Sequence, residues 1–399
     1  MTDAPAARSS AHDADPIPPA AADAVAELMA SGDLFRYTAA ADAPVTLLER
    51  EFAAALGSRH AVAVSSCSAA LFLALRALDP APGARVLIPA FTFAAVPSAV
   101  LHAGCVPVLA ECGADYRLDM DDVAAKLPGC SALLVSHMRG HTSDMDALVD
   151  LADRHGVPLI EDAAHSLGTT WRGRKIGTLG AMGCFSFQSY KMLNGGEGGI
   201  LITDDADLAA RVIVMSGAYE HNWSKHDIPT EAMARWQNRL PLYNTRMSNL
   251  SAAVIRPQIP LLPARVAAGR RNHDALAARL APCPHLSVPA PLEGEARAPD
   301  SIQFNLVGIS GAQADAFAHE ARRRGAGVSI FGRSEDNARA FWNWGFLDDV
   351  PDLPQTRAML MRACDLRLPV RTTAAEIDAL ATAIIGAVEA VAPAPRFGT

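Results

Sequence analysis

Lysine is scarce in this chain: lysine and arginine together number 35, and only four of them are lysine. One of the four, Lys191, lies in SFQSYKMLNGGEGG, after one apolar run and before a second. A lysine amine becomes a nucleophile when a pocket lowers its pKa, and it can hold an aldehyde cofactor as a Schiff base. Four glycines beside it would let the backbone come close to a bulky ligand. The plainer role for such a residue is a solvated loop lysine, so the case rests on what accompanies it.

Asp162 closes the apolar run in VPLIEDAAHSLG and is followed by small residues. A carboxylate there could keep a cofactor's ring nitrogen protonated; a helix N-cap is its equally simple use. Ser186 ends another strand-like run, five residues before Lys191. Ser66, Cys67 and Ser68 lie between a strand and a helix, where free backbone N–H groups and small hydroxyls bind phosphate, unless the serines merely cap. Phe93 in PAFTFAA follows a further strand and could lie flat on an aromatic ring, although a core position suits it as well. His137 and His141 have helical metal-ligand spacing, but HMRGH contains a glycine and no glutamate, so no metal site is expected.

These residues share a setting. HAVAVSS, RVLIP, VPVLA, ALLVSH, VPLIEDAA, MGCFSF and GGILITD are short apolar runs bounded by Gly, Pro or Asp. Helical stretches such as CSAALFLALRAL and DMDALVDLADRHG lie between several of them. Alternating strands and helices imply an α/β fold with a mostly parallel sheet covered on both faces. Ligands of such sheets gather beyond the carboxyl ends of the strands, where the candidate residues fall. Residues 206–260, polar, aromatic and broken by prolines, predict a long loop or arm. Beyond about 262, helical text, SIQFNLVGI, GAGVSIF and a final amphipathic stretch predict a smaller α+β domain.

At 399 residues, the chain is long enough for two domains. We expect a disordered lead-in over 1–20, a large domain over 21–260 and a small one over 261–399. Seven scattered cysteines suggest a reducing compartment and no disulfide framework. The net charge of −8 gives no electrostatic case for nucleic acid or an anionic membrane. With neither a secretory leader nor a run of about 20 apolar residues in view, a cytoplasmic enzyme acting on small molecules is the expectation.

The set of motifs resembles the DegT/DnrJ/StrS-type sugar aminotransferases, which have the aspartate aminotransferase fold (fold type I). VSSCSAAL, PAFTFAA, EDAAHSLG, SFQSYKMLNGGEGG and YNTRMSNLSAA match that family's blocks in order. The resemblance implies a mostly parallel seven-stranded sheet in the large domain and pyridoxal 5'-phosphate bound to Lys191. It further implies that Asp162 pairs with the ring nitrogen, His165 contacts the ring oxygen or stacks nearby, and Phe93 packs on the ring. Ser186 and the Ser66–Ser68 turn would hold the phosphate. Asn244 would reach it from a second subunit, which makes the expected species a homodimer with shared sites. The implied reaction moves an amino group from L-glutamate or L-glutamine to a keto sugar, nucleotide-linked or not, or to a keto cyclitol.

Three departures stand out. Cys67 occupies the place of a usual glycine; VIVMSGAYEHNW replaces an arginine and His-Gly text; SIFGRSEDNARAFWNWGF replaces a tyrosine, proline and histidine text. Arg333, Arg339, Lys225 and Arg235 are the cations on offer for an anionic acceptor. The loop over 215–240 and the aromatic FWNWGF leave open elimination or cyclisation on an amino-acid-like substrate. A regulatory module without turnover is the third possibility, disfavoured because Lys191 is present.

Overall fold

The computed structural model describes residues 14–39 and 42–392, so most of the expected disordered lead-in lies outside the described residues. Residues 19 and 20 already belong to a helix, Pro19–Ser31, which Pro19 opens and a left-handed Gly32 closes.

The first strands are β1 (His60–Val64), β2 (Arg85–Pro89), β3 (Val106–Ala110), β4 (Ala132–Ser136) and β5 (Leu159–Asp162). A short hairpin follows, β6 (Thr170–Trp171) and β7 (Arg174–Lys175), then β8 (Met182–Ser186) and β9 (Gly199–Thr203). Seven of these nine build one sheet in the order β1-β9-β8-β5-β4-β2-β3. Pairing is parallel from β3 across to β8, whereas β9 runs antiparallel to both β8 and β1. β5, β8 and β9 are buried at every position, which is why their text reads as unbroken apolar runs rather than alternation.

This topology brings the candidate residues to one edge. The carboxyl ends of β1, β4, β5 and β8 lie side by side there, carrying the Ser66 turn, Ser136, Asp162 and Ser186. Because β9 is reversed, its first residue, Gly199, reaches the same edge, paired with Val64 on one side and Ser186 on the other.

The glycines after Lys191 serve the protein more than a ligand. A Cβ on Gly199 would lie 2.3 Å from the Ser66 carbonyl carbon and 2.4 Å from the Cys67 nitrogen. Gly196 and Gly198 have φ of 75° and 149°, values that favour glycine. Gly198 also lines the site cavity, so room for a ligand is only part of their function.

The segment expected as a loop or arm, 206–260, is largely folded. It contains the helices Ala206–Ser216, Thr230–Trp236 and Asn249–Ile255. Its polar and aromatic side chains fasten the first two together: Trp236 Nε1 and Arg235 Nε each donate to Asp207 Oδ1 at 2.8 Å. The Arg211 guanidinium lies 3.8 Å from the Trp236 ring centroid. Pro229, which suggested a break, stands immediately before the second helix.

After the long helix Leu262–Leu280 come β10 (Leu286–Ser287), β11 (Glu295–Ala296), β12 (Ser301–Leu306), β13 (Ser329–Ile330) and β14 (Ala363–Arg367). β11 pairs with the β6–β7 hairpin, and the other four form an antiparallel sheet, β10-β12-β14-β13. Helices Gly311–Arg323 and Ala374–Val391 pack on it, each opened by a capping box, Ser310 with Gln313 and Thr373 with Glu376. This sheet has its own core. Phe331, Phe341, Trp344 and Leu353 instead join the core of the large sheet, so the aromatic FWNW text serves that core. Among the described residues no helix is long and apolar enough to cross a membrane.

Replacing Gly199 with alanine forces apart β9 and the Ser66–Cys67 turn. We expect a loss of about 1–3 kcal/mol in a denaturant midpoint, together with weaker cofactor retention; an unchanged midpoint would contradict the packing described.

Candidate active site

A cavity of about 370 Å³ opens at the edge where the strands end. Ser66, Cys67, Ser68, Phe93, Asp162, His165, Ser186 and Lys191 all line it. Of the nine sequence-derived site residues, only Asn244 lies elsewhere. It is exposed, with φ of 56°, and its side-chain oxygen accepts from Arg246.

Lys191 sits in the turn that follows β8, where its backbone N–H donates to the Gln188 carbonyl at 2.9 Å. Its Nζ lies 2.9 Å from His165 Nε2. Burial pushes the ammonium down to about 8, against the opposing pull of the Asp300 carboxylate; Arg139 pushes further down, and Asp162 back up. His165 is held well below the ordinary histidine range by burial and then by the Lys191 charge, so it is a neutral partner for the amine.

Asp162 is not a helix cap. Its Oδ2 accepts from Ser136 Oγ at 2.7 Å, and its Oδ1 accepts from the Ala164 backbone N–H at 3.1 Å in a tight turn. Cys67, the departure from glycine, turns its Sγ toward Asp162 Oδ1 at 3.9 Å. Burial and then the Asp162 charge push that thiol well above the usual cysteine range, so it stays protonated. The added bulk of Cys67 therefore points at the carboxylate, where it is a weak donor.

Ser66 is the N-cap of the helix Cys67–Ala77, its Oγ accepting from the Ala69 N–H at 3.1 Å. The first intrahelical bond runs from Ala70 N to Ser66 O, which leaves the N–H groups of Cys67 and Ser68 at the open helix end. Ser186 Oγ reaches the same cavity and accepts from the Gln188 N–H at 3.3 Å. Phe93 stands on the cavity wall, 44% exposed, while its neighbour Phe91 takes the core position at 1%.

Of the four cations considered for an anionic acceptor, only Arg339 lines the cavity. Arg333 is paired with Asp315, Arg235 with Asp207, and Lys225 Nζ donates to the Ala39 carbonyl at 2.7 Å. The two histidines with metal-like spacing go to different partners: His137 to Glu161 at 3.1 Å and His141 to Gln303 at 3.0 Å. Sequence reasoning missed Ser136, Asp300 and Arg139. Ser136 was findable, since it ends a strand beside Asp162; the other two act through the fold alone.

The family model for DegT/DnrJ/EryC1/StrS aminotransferases matches residues 20–385. The chain belongs to that family. It is 32% identical over 316 residues to 3-amino-5-hydroxybenzoate synthase of Amycolatopsis mediterranei (strain S699), covering 77% of this chain and 78% of that one. It is 38% identical over 238 residues to L-glutamine:scyllo-inosose aminotransferase of Streptomyces griseus, covering 58% and 56%. A solved structure of 3-amino-5-hydroxybenzoic acid synthase superposes with a TM-score of 0.83 at 26% identity, over 96% of this chain and all of that one. The chain spans little more than half the length of most of the curated relatives it matches.

Pyridoxal 5'-phosphate is the cofactor of this family, and the residues present fit it. One end of the cavity offers uncommitted helix N–H groups and serine hydroxyls suited to a phosphate. The same lining offers a hydrogen-bonded carboxylate, Asp162, and an amine, Lys191, whose ammonium is pushed down to about 8.

A neutral amine exists above its pKa, so lowering that pKa makes the nucleophile available at lower pH. On cofactor-free protein, acylation of Lys191 by an amine-reactive reagent should rise with a midpoint near pH 8. A midpoint at the ordinary 10.5 would contradict the described desolvation.

Proposed function

We propose that this protein is a pyridoxal-phosphate-dependent aminotransferase that moves an amino group from L-glutamate or L-glutamine to a keto sugar or keto cyclitol. The observation that carries this is the depressed amine of Lys191 in one cavity with Asp162 and the Ser66–Ser68 helix end. When bound, pyridoxal phosphate supplies the aldehyde that takes up the amino group and the ring that draws off electron density.

The chain's own residues do the rest. Ser66, Ser68, Ser186 and the N–H groups of Cys67 and Ser68 bind the phosphate. Asp162, oriented by Ser136 and Ala164, holds a proton on the ring nitrogen. Phe93 would pack on the ring from the cavity wall. Lys191 Nζ would hold the cofactor and move a proton at the substrate carbon as general base and acid. His165, neutral and beside Nζ, positions that amine. The exposed Asn244 would reach the phosphate of a second subunit, making the working unit a homodimer. The helices of 206–255 and the buried aromatics of 331–344 fill structural roles, so the motive for elimination or cyclisation falls away.

Borohydride reduction of loaded protein should fix the cofactor's mass on the peptide that carries Lys191. Lys191→Ala should bind cofactor reversibly and lose turnover; retained turnover would overturn the proposal. Mixing Lys191→Ala with Asn244→Ala subunits should restore turnover that neither homodimer has, because one site of the mixed dimer keeps both residues. No restoration under subunit exchange would remove Asn244 from the shared site.

A further inference from the structure

Arg339 is half-buried at the candidate site. Its guanidinium lines the cavity with Lys191 and lies 5.6 Å from the Phe93 ring centroid. Of the buried arginines, Arg36, Arg117, Arg139 and Arg367 are each paired with a carboxylate, Glu49, Glu295, Asp365 and Asp300 respectively, and Arg297 donates to His141 and the Pro289 carbonyl. The Arg339 guanidinium makes neither an ion pair nor a side-chain hydrogen bond among the described residues; its Nε is buried without a partner, as are those of Arg36, Arg139 and Arg367, but those three guanidinia have carboxylates. Burial and then the Arg139 charge push it down to about 10, against a weaker opposing pull from the Asp365 carboxylate, which is itself paired with Arg139.

Its place is built. The Arg339 N–H donates to Asn337 Oδ1 at 2.9 Å, and Ala340 forms a bridge with Phe91. Ala94 N donates to the Ala338 carbonyl at 3.0 Å, and Trp344 Nε1 donates to the same oxygen at 2.9 Å. Asn343 Nδ2 donates to the Asn337 carbonyl at 3.1 Å. Text that departs from the family's usual pattern thus pins the backbone on both sides of Arg339 and holds the side chain over Phe93.

An amino-acid donor must bring its nitrogen to where Lys191 Nζ works, and its α-carboxylate is attached to the same carbon as that nitrogen. The site therefore needs a cation one side chain away. Arg339 meets this: it lines the same cavity as Lys191 and His165, which Arg139 and Arg367 do not. Its planar fork matches a carboxylate with two parallel hydrogen bonds. We propose that Arg339 binds the α-carboxylate of the amino donor and so makes the site selective for α-amino acids. This rests on the aminotransferase reading above.

The test follows bleaching of the cofactor band of loaded enzyme against concentration of L-glutamate, L-glutamine and isoglutamine, whose α-carboxylate is an amide. Wild type should use glutamate or glutamine and disfavour isoglutamine about 10- to 100-fold in KM. Arg339→Gln should raise the KM of the good donor by a similar factor, leave kcat near wild type and lose the discrimination. Arg339→Lys should recover part of it, and Arg235→Gln should change nothing. Equal use of isoglutamine by wild type, or an unchanged KM in Arg339→Gln, overturns the assignment; the first result needs no variant to fold.

If no donor bleaches the band, the aminotransferase reading itself fails. Glutarate, which has carboxylates but no amine, then decides the site. Thermal protection of loaded wild type that is lost in Arg339→Gln supports a carboxylate anchor; equal protection in both, or none in wild type, overturns it.

Discussion

A lysine kept close to neutrality beside a carboxylate poses two opposed demands. The amine must be dry enough to release its proton, yet the carboxylate must stay ionised nearby. The fold meets both by dividing the charge. Lys191 loses water in the turn after β8, while Ser136, Ala164 and the Cys67 thiol supply hydrogen bonds to Asp162. The remaining balance comes from two further charges, Asp300 before β12 and Arg139 after β4. Asp300 pulls Lys191 one way and Arg139 the other, and each is itself paired: Asp300 with Arg367 at 2.8 Å, and Arg139 with Asp365.

Those pairs bind the site to the smaller sheet. Asp365 and Arg367 lie on β14, and Asp300 immediately precedes β12. Gln303, on β12, joins Asp365 Oδ1 at 2.9 Å to His141 at 3.0 Å. Buried ion pairs add little net stability, but removing one partner leaves an uncompensated charge and is costly. Burial sets the direction of the Lys191 shift, docking of the two cores adjusts it, and a mutation in β14 reaches Lys191 without touching it.

Much of this was legible in the sequence, and for identifiable reasons. Strands buried on both faces announce themselves as short apolar runs, and the strand-end rule picked out Lys191, Asp162, Ser186 and the Ser66–Ser68 turn. What escaped depends on contacts between distant segments. Nothing local marks Asp300 or Arg139, which lie far from Lys191 along the chain. The glycines suggested room for a ligand, whereas Gly199 is required because β9 is reversed and meets the Ser66–Cys67 backbone. Residues 206–260 looked like a loop because Asp207, Arg211 and Trp236, the residues that fasten its first two helices, are polar or aromatic. Arg339 was one of four candidate cations, and only its position against Phe93 separated it from the three tied up elsewhere.

The central claim is that this cavity accepts an amino group through the cofactor on Lys191. The visible spectrum of loaded protein, recorded before and after addition of L-glutamate and then L-glutamine, tests it most directly. The account predicts a yellow band that bleaches with at least one of the two and returns when the matching keto acid is added. A band that persists unchanged with both would contradict it.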